Sequence, residues 1–166
     1  TRFISGLVLV LVLFGCAPKP GGGETWDSTQ WFVSTGGNDN SHCHTFLAPC
    51  RTIAAAVERA VDGDTIYISE GTFNENLVIN KSLSLVGQGE GKTILDGSGI
   101  SNTVIIGDTL SGIVDENPDL EVSLSSLAVQ NGMATYPNMG NSAAGAGISV
   151  ENGHLTLWAV TISDNT

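Results

Sequence analysis

The chain has 166 residues, 41% of them apolar and 14% charged, which is apolar enough for one domain with a substantial core and argues against a disordered segment. Its 21 glycines fit a chain of short strands and tight turns better than a helical bundle. With 6 Lys and Arg against 17 Asp and Glu, the net charge of −11 excludes a nucleic-acid partner and is compatible with neutral glycans, cations or basic partners.

Arg2 precedes an unbroken apolar run over residues 7–14, followed by Gly15 and Cys16. This is the pattern of a secretory signal peptide over residues 1–15, and its apolar run is too short for the roughly 20 apolar residues of a membrane-spanning helix. Leu13-Phe14-Gly15-Cys16 resembles the bacterial lipobox, with Phe14 where a small residue is usual. The resemblance implies a lipid anchor on Cys16, and hence a membrane partner, with residues 16–30 as a flexible tether. The alternative is a leader cut from a soluble protein. By resemblance to diderm lipoproteins, Ala17 rather than Asp after the Cys is expected to permit transport to the outer membrane or cell surface; without lipidation the protein would be periplasmic or secreted.

Beyond the tether, Trp31-Phe32-Val33 reads as a short strand. Cys43 and Cys50 are the two cysteines left after the leader, and in an exported chain they are expected to pair. A metal site from His42, Cys43, His44 and Cys50 is the alternative, although their spacing matches no zinc pattern. Thr52 is placed as the N-cap of a helix running to about Val61, with Ile53, Ala56, Val57, Ala60 and Val61 on its apolar face. Asp62-Gly63-Asp64 ends it. Thr65-Ile66-Tyr67-Ile68-Ser69 alternates in and out over a strand, Glu70-Gly71-Thr72 turns, and Leu77-Val78-Ile79 and Leu83-Ser84-Leu85-Val86 follow as further strands.

The chain also repeats itself. EVSLSSLAVQNG from Glu121 aligns without gaps to HLTLWAVTISDN from His154. Val122 and Leu124 match Leu155 and Leu157, and Leu127 and Val129 match Val160 and Ile162. Between the pairs the alternation slips by one, which requires a bend at Ser125-Ser126 and again at Trp158-Ala159. Strands with corners, repeated at this spacing, predict an all-β solenoid with aliphatic ladders inside and Gly and Asn at the turns. A sandwich or closed barrel is the structural alternative.

Residues 48–97 resemble the opening of pectin lyase-like right-handed parallel β-helix proteins, in which an amphipathic helix caps the first rung. Residues 145–166 look like the repeats of large bacterial surface β-helix proteins. The resemblance implies that residues 31–166 are an N-terminal cap and the first rungs of such a β-helix, with C-terminal rungs missing. It does not imply one activity, because the superfamily includes lyases, esterases, hydrolases, epimerases and proteins without catalysis.

Gly71-Thr72-Phe73-Asn74-Glu75 resembles pectin methylesterases, but Gly107-Asp108-Thr109-Leu110 carries Gly107 where their catalytic segment has Gln and follows too early, so Asp108 is read as a loop residue. Lyase chemistry needs a basic residue and cationic stabilisation of a carbanion, and no Lys or Arg occurs after Lys92. The clustered carboxylates of polygalacturonase-type hydrolysis are absent too. No catalytic residue and no metal ligand is assigned.

Two loops, 108–120 and 133–145, are places where binding would be expected. The first holds Asp108, Asp115, Glu116 and Asp119, hard oxygen donors that Ca²⁺ could take, with a solvated acidic loop as the alternative. Trp158 is expected to point outward above Ser125, where an indole can stack on a sugar ring. The resulting reading is a surface protein that binds or adheres to polysaccharide. The alternative is a polysaccharide-active lyase, esterase or hydrolase whose active site lies on rungs beyond residue 166.

Overall fold

The computed structural model describes residues 30–107, 119–134 and 146–166. Ten strands and one helix are built from them: β1 (Gln30–Val33), α1 (Ile53–Arg59), β2 (Thr65–Ile68), β3 (Gly71–Asn74), β4 (Leu77–Ile79), β5 (Ser84–Val86), β6 (Thr93–Asp96), β7 (Val104–Ile106), β8 (Glu121–Gln130), β9 (Ile148–Val150) and β10 (His154–Ser163). Every pairing is parallel. One sheet runs β1-β2-β5-β8-β6-β3 with β10 also on β8, and a smaller one runs β4-β7-β9.

The expected right-handed solenoid under an amphipathic capping helix, with C-terminal rungs missing, is corrected by this arrangement. The described residues form two parallel sheets of unequal size and one short helix. β8 is continuous through its corner and pairs with β5 through Ser123–Ser125 and with β6 through Ala128–Gln130. That continuity joins what would be separate strand sets into a seven-stranded sheet. The helix is also shorter than expected, because Ala60 turns extended at ψ 155° and leaves Val61 64% exposed.

The helix start follows the sequence. The Thr52 side chain accepts from the Ala55 amide at 3.2 Å, and Ile53, Ala56 and Val57 are buried. Both ends are then held from outside the helix. Glu75 accepts the amides of Ile53 and Ala54 at 2.9 and 2.8 Å, satisfying donors that have no partner within the helix. Lys81 donates to the carbonyls of Val57, Glu58 and Ala60 at 3.0, 2.7 and 2.8 Å at the other end, where a cation also interacts favourably with the negative end of the helix dipole.

The register of β8 against β10 is the one read from the repeat, with His154 opposite Glu121, Leu157 opposite Leu124 and Ile162 opposite Val129. The bends fall where the alternation slips, at Ser126 with φ 55° and Ala159 with φ 50°. Inward side chains stack strand upon strand as Trp31, Ile66, Leu85 and Leu124, all buried. Leu157 continues this row on the sheet's outermost described strand and is 41% exposed, since no further described strand covers it.

Corners are closed by side-chain amides and glycines. Asn165 accepts the Gly132 amide at 2.7 Å and donates to the carbonyls of Val129 and Ser163. Asn76 donates to those of Gly97, Ser101 and Asn102. Gly132 lies so close to the Ala146 carbonyl that an added Cβ would collide with backbone, which leaves glycine as the residue that fits.

Candidate functional site

The outward side of the large sheet follows directly from strand alternation. In β2, Ile66 and Ile68 point into the core, so Thr65 and Tyr67 point out. The parallel register carries this across five strands. One outward row is Phe32, Tyr67, Val86, Ser125 and Trp158, and the next is Gln30, Thr65, Ser84, Ser123 and Thr156. Aromatic rings stand at both ends of the first row. Phe32 and Tyr67 are stacked, with ring centroids 5.5 Å apart and planes inclined by 23°. Trp158 is 75% exposed. The second row is polar, and its Ser84 and Ser123 hydroxyls are 3.0 Å apart.

At the β1 end this face meets a loop pinned by a Cys43–Cys50 disulfide, with both cysteines fully buried. The Cys43 amide donates to the Ala48 carbonyl at 3.2 Å, and the Ser41 hydroxyl donates to the Pro49 carbonyl at 2.8 Å. Arg59 reaches from the helix to the Ser41 carbonyl at 3.0 Å and also donates to the carbonyl of Asp39. The loop therefore presents Phe46 and Leu47 to solvent on a fixed frame.

Two carboxylates have shifted affinities. Burial pushes Glu75 above its usual range, outweighing its two backbone hydrogen bonds. Asp96 is held below its usual range, first by the Gln130 amide at 3.0 Å, with support from the Ser98 amide and the Asn131 side chain. Glu75 is engaged in holding the start of α1 and Asp96 in holding the turn that follows β6. Among the described residues no group of three or more His, Cys, Asp or Glu side chains is placed to hold a metal.

Of the residues singled out in the sequence, Trp158 stands opposite Ser125, and Cys43 is bonded to Cys50. Asp119 is exposed just ahead of β8. Cys16, Asp108, Asp115 and Glu116 lie outside the described residues. The sequence reading missed Phe32, Tyr67 and Phe46. The alternation of residues 65–69 already sent Tyr67 outward, and that signal could have found it.

In fold, the chain is similar to pectin methylesterases, which have a pectate-lyase-like parallel β-helix fold. One, solved in complex with a hexasaccharide, matches with a TM-score of 0.51 and 19% identity over 80% of this chain and 44% of that chain. The pectin methylesterase of Erwinia chrysanthemi matches with a TM-score of 0.47 and 17% identity over 81% of this chain and 45% of that one. Among curated proteins, the uncharacterized protein YwoF of Bacillus subtilis is 26% identical over 164 residues, covering 92% of this chain and 34% of that protein. The chain thus spans about a third of that relative's length and less than half of the solved structures'. No family model matches.

Proposed function

We propose that this chain is the substrate-holding part of a polysaccharide-active protein, with no catalysis assigned to the described residues. The observation that carries the reading is the outward face of the large sheet, where Phe32, Tyr67 and Trp158 share one row beside the hydroxyls of Thr65, Ser84, Ser123 and Thr156. The C–H face of a pyranose stacks on aromatic rings, while serine and threonine hydroxyls both donate to and accept from sugar hydroxyls. The likeness in fold to a pectin methylesterase solved with a hexasaccharide supports a polysaccharide-active enzyme over pure adhesion.

Affinity electrophoresis of the chain against a panel of plant and bacterial polysaccharides tests the proposal. Retarded migration on at least one of them, reduced by Trp158→Ala, is expected. Migration unchanged on every polysaccharide would overturn it. The full-length protein binding a glycan that it does not turn over would return the reading to adhesion.

Export belongs to the same proposal, with Cys16 as a lipid anchor at the outer membrane or cell surface. The Cys43–Cys50 disulfide supports an oxidising compartment.

A further inference from the structure

Where the outward row meets the pinned loop, Phe46 and Pro49 on one side and Phe32 and Tyr67 on the other border a cleft of about 320 Å³, at the small end of the range for small-molecule sites. Ser34, Ser69 and Gln88 supply its polar lining. We infer that this cleft is a subsite for one sugar unit of an uncharged glycan, and that it discriminates against polyuronates. This rests on the glycan-binding reading above and adds the class of glycan.

Three observations lead there. The cleft pairs apolar rings with neutral hydrogen-bonding groups, the combination that suits a pyranose with one apolar face and a hydroxylated rim. None of its described lining residues is Asp, Glu, Lys, Arg or His. A uronate carboxylate entering it would lose hydration without meeting a cation, and the chain's net charge of −11 opposes it from a distance. The third observation is that Phe46 is 75% exposed on a loop tied by the disulfide and by Arg59, so the backbone that carries this wall is held before any ligand arrives and only the ring has to be ordered on binding.

Calorimetric titration of the whole chain with a neutral galactan hexasaccharide and with an oligogalacturonate of equal length separates the outcomes. The neutral oligosaccharide is expected to bind at least about tenfold more tightly, since the rival charge goes unpaired. Phe46→Ala is expected to weaken the neutral ligand by about 3- to 10-fold, the scale of one lost aromatic stack. Phe46→Trp is expected to restore it, and reducing the disulfide to weaken binding as Phe46→Ala does. The thermal midpoint of Phe46→Ala should match wild type, because the ring is exposed. Equal affinity for the two oligosaccharides, or Phe46→Ala binding like wild type while Trp158→Ala is weakened, overturns the subsite and leaves the wider reading standing. If Phe46→Ala loses only binding to neutral phosphatidylcholine vesicles, the exposed loop is a lipid contact and the inference fails. Binding of neither oligosaccharide, together with a negative polysaccharide panel, removes both.

Discussion

Trp158 lies directly across from Ser125 in the neighbouring parallel strand, on the outward side of the sheet's outermost described strand, and its indole is 75% exposed. Trp158→Ala should therefore weaken polysaccharide binding by about 3- to 10-fold, the loss of one aromatic stack. Thermal unfolding should be unchanged, since an exposed substitution of this kind stays within about 0.5 kcal/mol. A loss of binding accompanied by a large drop in midpoint would show that the indole supports the fold instead.

The equivalent inward positions should differ sharply. Leu124 is fully buried between β5 and β10, so Leu124→Asp places an unpaired charge in the core and should cost at least about 3 kcal/mol. Leu157→Asp, at a position 41% exposed, should cost about 1 kcal/mol or less. Repeat symmetry alone would make the two equal, and denaturant titration of both variants distinguishes the cases.

The pH dependence has opposite signs at two carboxylates. Glu75 has a raised folded pKa, so its contribution is fully present below its ordinary value of 4.5 and is lost as pH rises through the folded value. Glu75→Gln should thus gain on wild type between acidic and neutral pH. Asp96 has a lowered folded pKa, so its contribution is present above 3.8 and is lost as pH falls through the folded value. Asp96→Asn should show its deficit at neutral pH and lose it under strong acid. Midpoints across a pH series check both signs.

Removing the disulfide should cost roughly 2–3 kcal/mol by the loop-closure relation for so short a loop. A Cys43→Ser, Cys50→Ser double variant, compared with wild type by calorimetry, measures this. If its midpoint matches that of wild type, the remaining hydrogen bonds suffice to hold the loop.

Cys16→Ser should release the protein from membranes or block its processing, as judged by fractionation. Unchanged membrane association would remove the lipid anchor from the proposal.

Much of the strand pattern was legible because its signals are local. The register of β8 on β10 appeared as a gapless self-alignment, and the corners at Ser126 and Ala159 appeared as a slip in alternation. Thr52 and the Cys43–Cys50 pair were visible for similar reasons of short range. What escaped depends on distant chain segments. The joining of two strand sets through β8 needs β5 and β6 as partners, and nothing within β8 specifies them. The helix end at Arg59 reflects an extended Ala60 held among neighbours, against an apolar spacing that continues to Val61. Of the outward face proposed to hold glycan, Trp158 was found from its own repeat, whereas Phe46 becomes a wall only when its loop is folded against β1 and β2.

Glu75 and Lys81 flank β4 and grip opposite ends of α1. A helix of seven residues is marginal by itself, so its integrity is borrowed from that strand. Helix and strand then form one opening unit, and amide protons of Ile53 and Ala54 cannot meet solvent as donors until the Glu75 turn lets go. Their hydrogen-exchange rates should track those of Leu77 and Ile79, so a seven-residue helix reports on the opening of a sheet more than twenty residues further along the chain.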